Sequence, residues 1–243
     1  MTAAEMIYHR KSFRNYSNQF LDVNTLRDIE KSIMSAKRLY PDIKISWEII
    51  GNEKVKRVQS WQSPHYIAMF TEDVEGAREN IGFVFQQVEL YMQSIGIGSC
   101  WLGLGKLRDN GDFEFSNHNN MDCVMIMAFG TPNNEEYRNN ILDFKRKKML
   151  EITDIYDERL ECARVAPSAV NSQPWYFLHT DGGFHIYCAS KYLIHKVLGK
   201  MNKIDMGISL AHLYMENKES FEFFKFDSAP QVNGYYYIGS VKI

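Results

Sequence analysis

Two short stretches of this chain hold side chains at spacings that could do chemistry. The first is His9-Arg10-Lys11-Ser12-Phe13-Arg14-Asn15-Tyr16, which gathers three cations around one hydroxyl. Guanidinium forks and a serine hydroxyl suit a phosphate, with its roughly two negative charges and strong acceptor oxygens. Taken alone, the segment reads first as a solvated basic surface segment. The second is Ala166-Pro167-Ser168-Ala169-Val170-Asn171-Ser172-Gln173-Pro174-Trp175. Pro167 pushes Ala166 out of helical geometry and stops the helix before it. The turn that follows offers hydroxyl, carbonyl and amide groups at close spacing, enough to hold a polar heterocycle by its edge. Its plain structural reading is a helix-to-strand loop with Trp175 plugging the core.

A third stretch, Gly96-Ile97-Gly98-Ser99-Cys100-Trp101-Leu102-Gly103-Leu104-Gly105-Lys106, is rich in glycine but fits neither familiar phosphate loop. A dinucleotide G-x-G-x-x-G needs glycine where Trp101 stands, and it should follow a strand, not a helix. A P-loop needs glycine at Cys100 and a hydroxyl residue at Leu107. What remains is a glycine helix cap leading into a buried apolar strand. Cys100 has no histidine partner nearby in sequence to make it a nucleophile.

Around these stretches the periodicity supplies a frame. A short helix is expected over 1–8 and an amphipathic one over Val23–Lys37, capped by Asp22 or Asn24. Ile43–Ile50 alternates like a strand, Tyr66–Thr71 and Asp122–Phe129 read as apolar strands, and Gly76–Ser94 is the longest helical pattern. Helix is expected again over Ile155–Val165 and Ile204–Met215, and strand over Tyr176–Leu178, Phe184–Cys188 and Tyr235–Ile243. At 243 residues and 45% hydrophobic, the chain can bury a core without staples, as one large domain or two small ones. A net charge of −2 argues against a nucleic-acid binder held by bulk electrostatics. Four scattered cysteines give no C-x-x-C pair, hence neither a zinc site nor a disulfide framework. With no leader-like start and no long uncharged apolar run, the expectation is a cytoplasmic protein away from the membrane.

The second stretch resembles the nitroreductase family of flavoproteins, whose helix-to-strand turn has the pattern A-P-S-x-x-N-x-Q-P-W. Every fixed position is present from Ala166 to Trp175. Near the N-terminus the family carries an R-x-S-x-R or similar motif that contacts flavin mononucleotide (FMN), and Arg10, Ser12 and Arg14 match it in type, spacing and place. The Gly96–Gly103 run resembles the family's G-x-G-x-x-W-x-G element, whose backbone lies against the isoalloxazine ring. The strand closed by Gly130-Thr131-Pro132 and the segment around Arg146 resemble its later motifs, although Lys148 stands where proline is usual.

The resemblance implies an α+β fold with mixed or antiparallel sheets flanked by helices. It implies an FMN-dependent oxidoreductase that takes hydride from NADH or NADPH and reduces a small-molecule acceptor, a nitroaromatic, a quinone or similar, by a ping-pong route. The cofactor-binding residues it implies are Arg10, Lys11, Ser12, Arg14, Cys100, Trp101, Leu102, Gly103, Arg146, Pro167, Ser168, Ala169, Asn171 and Gln173. It names no catalytic side chain and no metal ligand. Non-catalytic flavin binding, or other flavin chemistry such as dehalogenation or flavin cleavage, stays open.

The element pattern also starts again after residue 135, so two halves, 1–135 and 136–243, are expected to share one topology as a worn duplication. The first half keeps the basic motif and the glycine run, while its proline turn has become Ser35-Ala36-Lys37-Arg38-Leu39-Tyr40-Pro41; the second keeps the turn and lacks the glycine run. In the family, dimers build each flavin site from both subunits. The resemblance thus implies a monomer acting as a pseudo-dimer, with one flavin site between the halves. The acceptor pocket is expected to draw on loops 60–65, 108–120 and 218–228.

Overall fold

Two four-stranded antiparallel sheets, each served by one long helix, organise the chain in this computed structural model. The structure describes residues 1–56, 59–108, 118, 121–134, 136–190 and 195–243, with 195–198 as backbone only. The first sheet contains β1 (Ile45–Gly51), β3 (His65–Thr71), β4 (Gly98–Leu102) and β6 (Asp122–Gly130), in the order β1-β3-β6-β4. The second contains β7 (Trp175–Thr180), β8 (Gly183–Ala189), β9 (Glu222–Phe224) and β10 (Tyr235–Lys242), in the order β7-β8-β10-β9. A two-stranded ribbon of β2 (Val55–Lys56) and β5 (Lys106–Leu107) completes the strands. All the sheet pairings are antiparallel, not mixed; the one parallel bridge among the described residues is the isolated Thr153–Phe177 contact.

In both four-stranded sheets the last strand in sequence sits between the second and the third. In both, a long helix joins the second strand to the third: α2 (Ala77–Ser94) in the first, α4 (His195–Glu216) in the second. The strand inserted last is also bulged in each, β6 beside Met69/Phe70 and β10 between Tyr237 and Gly239.

The β3 strand is buried at every position because the first sheet is covered on both faces. Ile67 and Met69 face one apolar cluster, while Tyr66, Ala68 and Phe70 face another. Such a strand reads as a continuous apolar run, without alternation. The larger cluster runs without a break from Met6 to Val241 and takes in both sheets and both long helices.

The two helices cross at glycines. A Cβ on Gly82 of α2 would sit 2.0 Å from the Ile204 carbonyl oxygen, and one on Gly207 of α4 would sit 1.9 Å from that of Glu79. The partners fall three residues before the opposing glycine in each case, so the crossing is reciprocal. Only glycine lets the backbones approach this closely.

Elsewhere the elements are shorter or longer than expected. Helix α1 (Val23–Ser35) is capped by the Asp22 carboxylate, which accepts from the backbone N–H groups of Asn24 and Thr25. The opening helix is one 3-10 turn, Glu5–Tyr8. The helix expected over 155–165 shrinks to a 3-10 turn, Glu158–Leu160, followed by α3 (Glu161–Arg164). Asp157 starts it late by capping Arg159, and Pro167 ends it early. In contrast, α4 begins well before Ile204, at His195; Val197, Leu198, Met201 and Ile204 carry the helical spacing back that far, although Gly199 and the polar Lys200, Asn202 and Lys203 dilute it.

Candidate functional site

The geometry of the proline turn is fixed from behind. Val170, Asn171 and Gln173 all adopt positive φ, at 48°, 57° and 47°. For a β-branched residue such as Val170 this is unfavourable, so the surroundings must hold it there. Arg146 does much of this: its Nε donates to the Ala166 carbonyl at 3.0 Å, and its other nitrogens donate to the carbonyls of Val165 and Phe144 and to Asn171 Oδ1. Asn171 Nδ2 returns a bond to the Lys145 carbonyl. Gln173 Oε1 accepts from the Lys147 N–H at 2.7 Å, and Ser168 Oγ accepts from the Gln173 N–H at 2.9 Å. Arg146, Asn171 and Gln173 are therefore braces of the turn.

Braced in this way, the turn presents Pro167, Ser168, Ala169 and Val170 to a cavity of about 500 Å³. Facing them from the first half of the sequence are Ser12, Arg14, Trp101, Gly103, Leu104 and Met125; α4 adds Met201, Ile204, Asp205 and Ile208. The cavity thus has a polar, cationic end and a broad apolar flank. Of the fourteen residues expected from sequence, Ser12, Arg14, Trp101, Gly103, Pro167, Ser168 and Ala169 line it. Arg10, Lys11, Cys100, Leu102, Arg146, Asn171 and Gln173 stand outside its lining. Cys100 and Leu102 point to the opposite face of β4, into the smaller core cluster, where burial raises the Cys100 thiol's pKa despite Arg14 and Arg10 nearby.

Arg10 is almost wholly buried, at 1% exposure, and its Nε donates to Glu89 Oε1 at 3.0 Å. The fully buried Glu89 carboxylate also accepts from Gln86, Gln93 and Ser99. Gln86 extends the network to the cavity wall, since its Oε1 accepts from Trp101 Nε1 at 3.1 Å. Gln86 Nε2 also meets His212 Nε2, and His212 Nδ1 lies 2.8 Å from the Cys162 carbonyl. A carbonyl only accepts, so Nδ1 carries the proton; an amide nitrogen only donates, so Nε2 accepts from Gln86 and the imidazole is neutral, and burial depresses its pKa to about 3.

Arg138 was missed by the sequence reading, hidden in a polar stretch of no periodicity. One of its nitrogens donates to the Arg10 carbonyl, and its guanidinium lies over the Phe144 ring at 4.4 Å, with that of Arg146 5.8 Å from the same ring. Burial first, and then the neighbouring arginines, lower the pKa values of both Arg138 and Arg146. Such a crowd of guanidinium groups behind Ser12 and Arg14 is a corner suited to an anion.

The α4 wall was missed as well. Asp205, fully buried, accepts from the Ala169 N–H with both oxygens at 3.1 Å, and burial pushes its pKa up to about 8. The one available hint was the echo of Asn80-Ile81-Gly82 in Asp205-Met206-Gly207. Of the loops expected to border the cavity, none of its described residues lines it. Ser60, Trp61 and Gln62 border a separate hollow with Arg14, Asn15 and Tyr16; Lys225 lies at a third; and residues 109–117, 119 and 120 are outside the described residues. No helix among the described residues is long and apolar enough to cross a membrane, and no group of three potential metal ligands occurs among them.

The chain is similar to known proteins. The family described as "Putative TM nitroreductase" matches residues 2–217. The chain belongs to this nitroreductase family. Among solved structures, a putative nitroreductase from Thermotoga maritima MSB8 superposes with a TM-score of 0.65 at 21% identity, over 99% of this chain and 92% of that one. Its fold is therefore shared along nearly the whole length. A nitroreductase with bound FMN from Desulfitobacterium hafniense DCB-2 matches at 15% identity and a TM-score of 0.44, over 55% of this chain and 91% of that one. An FMN-dependent nitroreductase from Clostridium difficile R20291 matches at 13% identity and a TM-score of 0.45, over 56% and 94%. A comparison with curated proteins finds no match.

The residues present fit a flavin mononucleotide. Ser12 and Arg14 line the cavity's polar end with further guanidiniums behind, and the apolar flank of Trp101, Met125, Ile204 and Ile208 suits a flat ring.

Proposed function

We propose that this chain is an FMN-dependent oxidoreductase with one flavin site, built between residues 1–135 and 136–243. It takes hydride from NADH or NADPH and passes it to a nitroaromatic, quinone or similar acceptor in a ping-pong cycle. The observation that carries this reading is the composition of the cavity wall. The basic segment and β4 supply one side, and the proline turn and α4 supply the other. The common strand order and the reciprocal glycine crossing support a duplication of one ancestral unit, so that a single chain does the work of a dimer.

When bound, the flavin supplies the ring that accepts and returns hydride. Ser12 and Arg14 would hold the phosphate end, with Arg138 and Arg146 adding positive charge behind them. Arg14 would also help offset the negative charge of the reduced state. The Trp101 edge and the α4 side chains Ile204 and Ile208 would keep water from the ring. Asp205 occupies the Ala169 N–H, so Ala169 would serve by contact and not by hydrogen bonding. No side chain in the wall needs to act as a general acid.

The test is the visible absorption spectrum of the purified protein, with the released chromophore identified and counted. A flavin spectrum with one FMN per chain is expected, together with oxidation of reduced nicotinamide when an acceptor is supplied. Two FMN per chain would refute the single site. A colourless protein that FMN cannot reconstitute would refute the flavin reading altogether.

A further inference from the structure

The second sheet has a cavity of its own at the place where the first has the proposed flavin site. It measures about 410 Å³ and is lined by Tyr40, the Asp73–Gly76 loop, Glu79, Lys203, Lys225 and the β10 residues Tyr236, Tyr237 and Ile238. Counting back from the crossing glycines, Gly76 at the N-cap of α2 and Glu79 within it hold the positions that Met201 and Ile204 hold on α4. The volume falls within the range of about 300–1,000 Å³ typical of small-molecule sites.

Its charged side chains pair only in part. Asp73 lies 3.7 Å from Arg78, and Glu75 lies 3.5 Å from Lys225. That leaves one carboxylate and one ammonium. Glu79 is 4% exposed, and its Oε2 is buried with no hydrogen-bond partner among the described residues. Lys203 shares the cavity wall and acts on Glu79 through its charge, but makes no ion pair within 4.0 Å among those residues. A buried carboxylate oxygen without a donor is costly, and a charged donor relieves it best. Tyrosine rings on the remaining walls suit an aromatic or apolar group.

We propose that this cavity binds a small zwitterion of the amino-acid class. The ligand ammonium donates to the Glu79 carboxylate, the ligand carboxylate accepts from Lys203, and its side chain lies among Tyr40, Tyr236 and Tyr237. The site is independent of the flavin reading, since it shares no lining residue with the other cavity.

The test is isothermal titration calorimetry of the full chain with three probes: L-phenylalanine, phenethylamine, which lacks the carboxylate, and 3-phenylpropionate, which lacks the ammonium. Saturable binding of phenylalanine is expected, with each truncated probe weaker by about tenfold or more, the change expected for a lost charge-assisted hydrogen bond. Glu79→Gln should weaken phenylalanine similarly while leaving 3-phenylpropionate unaffected, and Lys203→Met should weaken phenylalanine while leaving phenethylamine unaffected. Should either variant fail to fold, protection of Lys203 from acetylation by phenylalanine in the unaltered protein, read by mass spectrometry, decides the matter. No phenylalanine binding up to millimolar concentration, equal binding of all three probes, or an unprotected Lys203 would each overturn the proposal.

Discussion

The two ends of the molecule are built on one frame and furnished in opposite senses. At one, the turn after the short helix α3 is held open by Arg146, Asn171 and Gln173, and the cavity beneath it meets Ser12 and Arg14. At the other, the turn after α1 places the Tyr40 ring against Gly76, where an added Cβ would lie 2.8 Å from the ring, and the cavity beside it meets Asp73, Glu75 and Glu79. Strand order, the joining helix and the bulged central strand agree between the ends. The side chains do not. A shared fold therefore fixes where a cavity can form, while a handful of residues fixes which ligand enters it.

The sharpest way to break this comparison is through the two motif arginines, which look interchangeable in sequence. Arg10 is sealed in the core against Glu89, whereas the exposed Arg14 lines the cavity. Arg10→Met leaves Glu89 buried without its cation and is expected to cost about 3–5 kcal/mol of stability. Arg14→Ala should change stability by no more than about 0.5 kcal/mol. It should weaken FMN retention clearly. Urea unfolding and FMN titration of both variants check this. Equal stability loss in the two would mean that Arg14 is structural and that the phosphate corner is wrongly placed.

Next in size is the glycine crossing. Alanine at Gly82 or Gly207 gains helix propensity of about 1 kcal/mol but drives its methyl group into a facing carbonyl. The clash should win, with a net loss of about 2 kcal/mol or more as α2 and α4 separate. Gly199, in the same helix α4, has nothing within 4 Å of an added Cβ. There the same substitution should stabilise the protein by roughly 0.5–1 kcal/mol. Thermal melts of the three variants decide it. A stabilising Gly207→Ala would show that the helices are not in backbone contact.

Much of the frame was legible beforehand because its signals are local. The ten-residue proline turn, the 10–12–14 spacing and the long apolar helix α2 announce themselves in single windows of sequence. The echo of Asn80-Ile81-Gly82 in Asp205-Met206-Gly207 even marked the crossing point, although not its reason. What stayed hidden depends on contacts between distant segments. Nothing at Arg10 shows that Glu89, 79 residues away in sequence but adjacent in space, will withdraw it from the cavity. Arg138 reaches its place through the Arg10 carbonyl and the Phe144 ring, neither predictable from a polar stretch. Asp205 reads as one polar residue on a helix until the Ala169 N–H is found on it.

The smallest expected effect is also the one that probes the likeness of the two ends most directly. Asn80 and Asp205 hold equivalent places on α2 and α4, two residues before the crossing glycines, and each accepts from a turn packed against its own helix. Asn80 Oδ1 accepts from the N–H groups of Leu39 and Tyr40, while Asp205 accepts from that of Ala169. An amide does this at no charge; the carboxyl of Asp205 is pushed from 3.8 up to about 8 by burial. The folded state then binds more protons than the unfolded state between those values, so stability falls as pH rises through that interval. His212 works the other way, since its pKa falls from 6.5 to about 3 and stability is lost as pH drops through that range. Above pH 6.5 only the Asp205 slope remains of the two. Asp205→Asn should therefore flatten the loss of stability between about pH 6.5 and 8 and raise stability at the upper end. Asn80→Asp should introduce a loss of the same sign at the other end of the molecule. Urea unfolding across that pH window measures both. If Asp205→Asn left the slope unchanged, the carboxyl would already be ionised in the fold, and the two acceptors would be alike in geometry but not in charge.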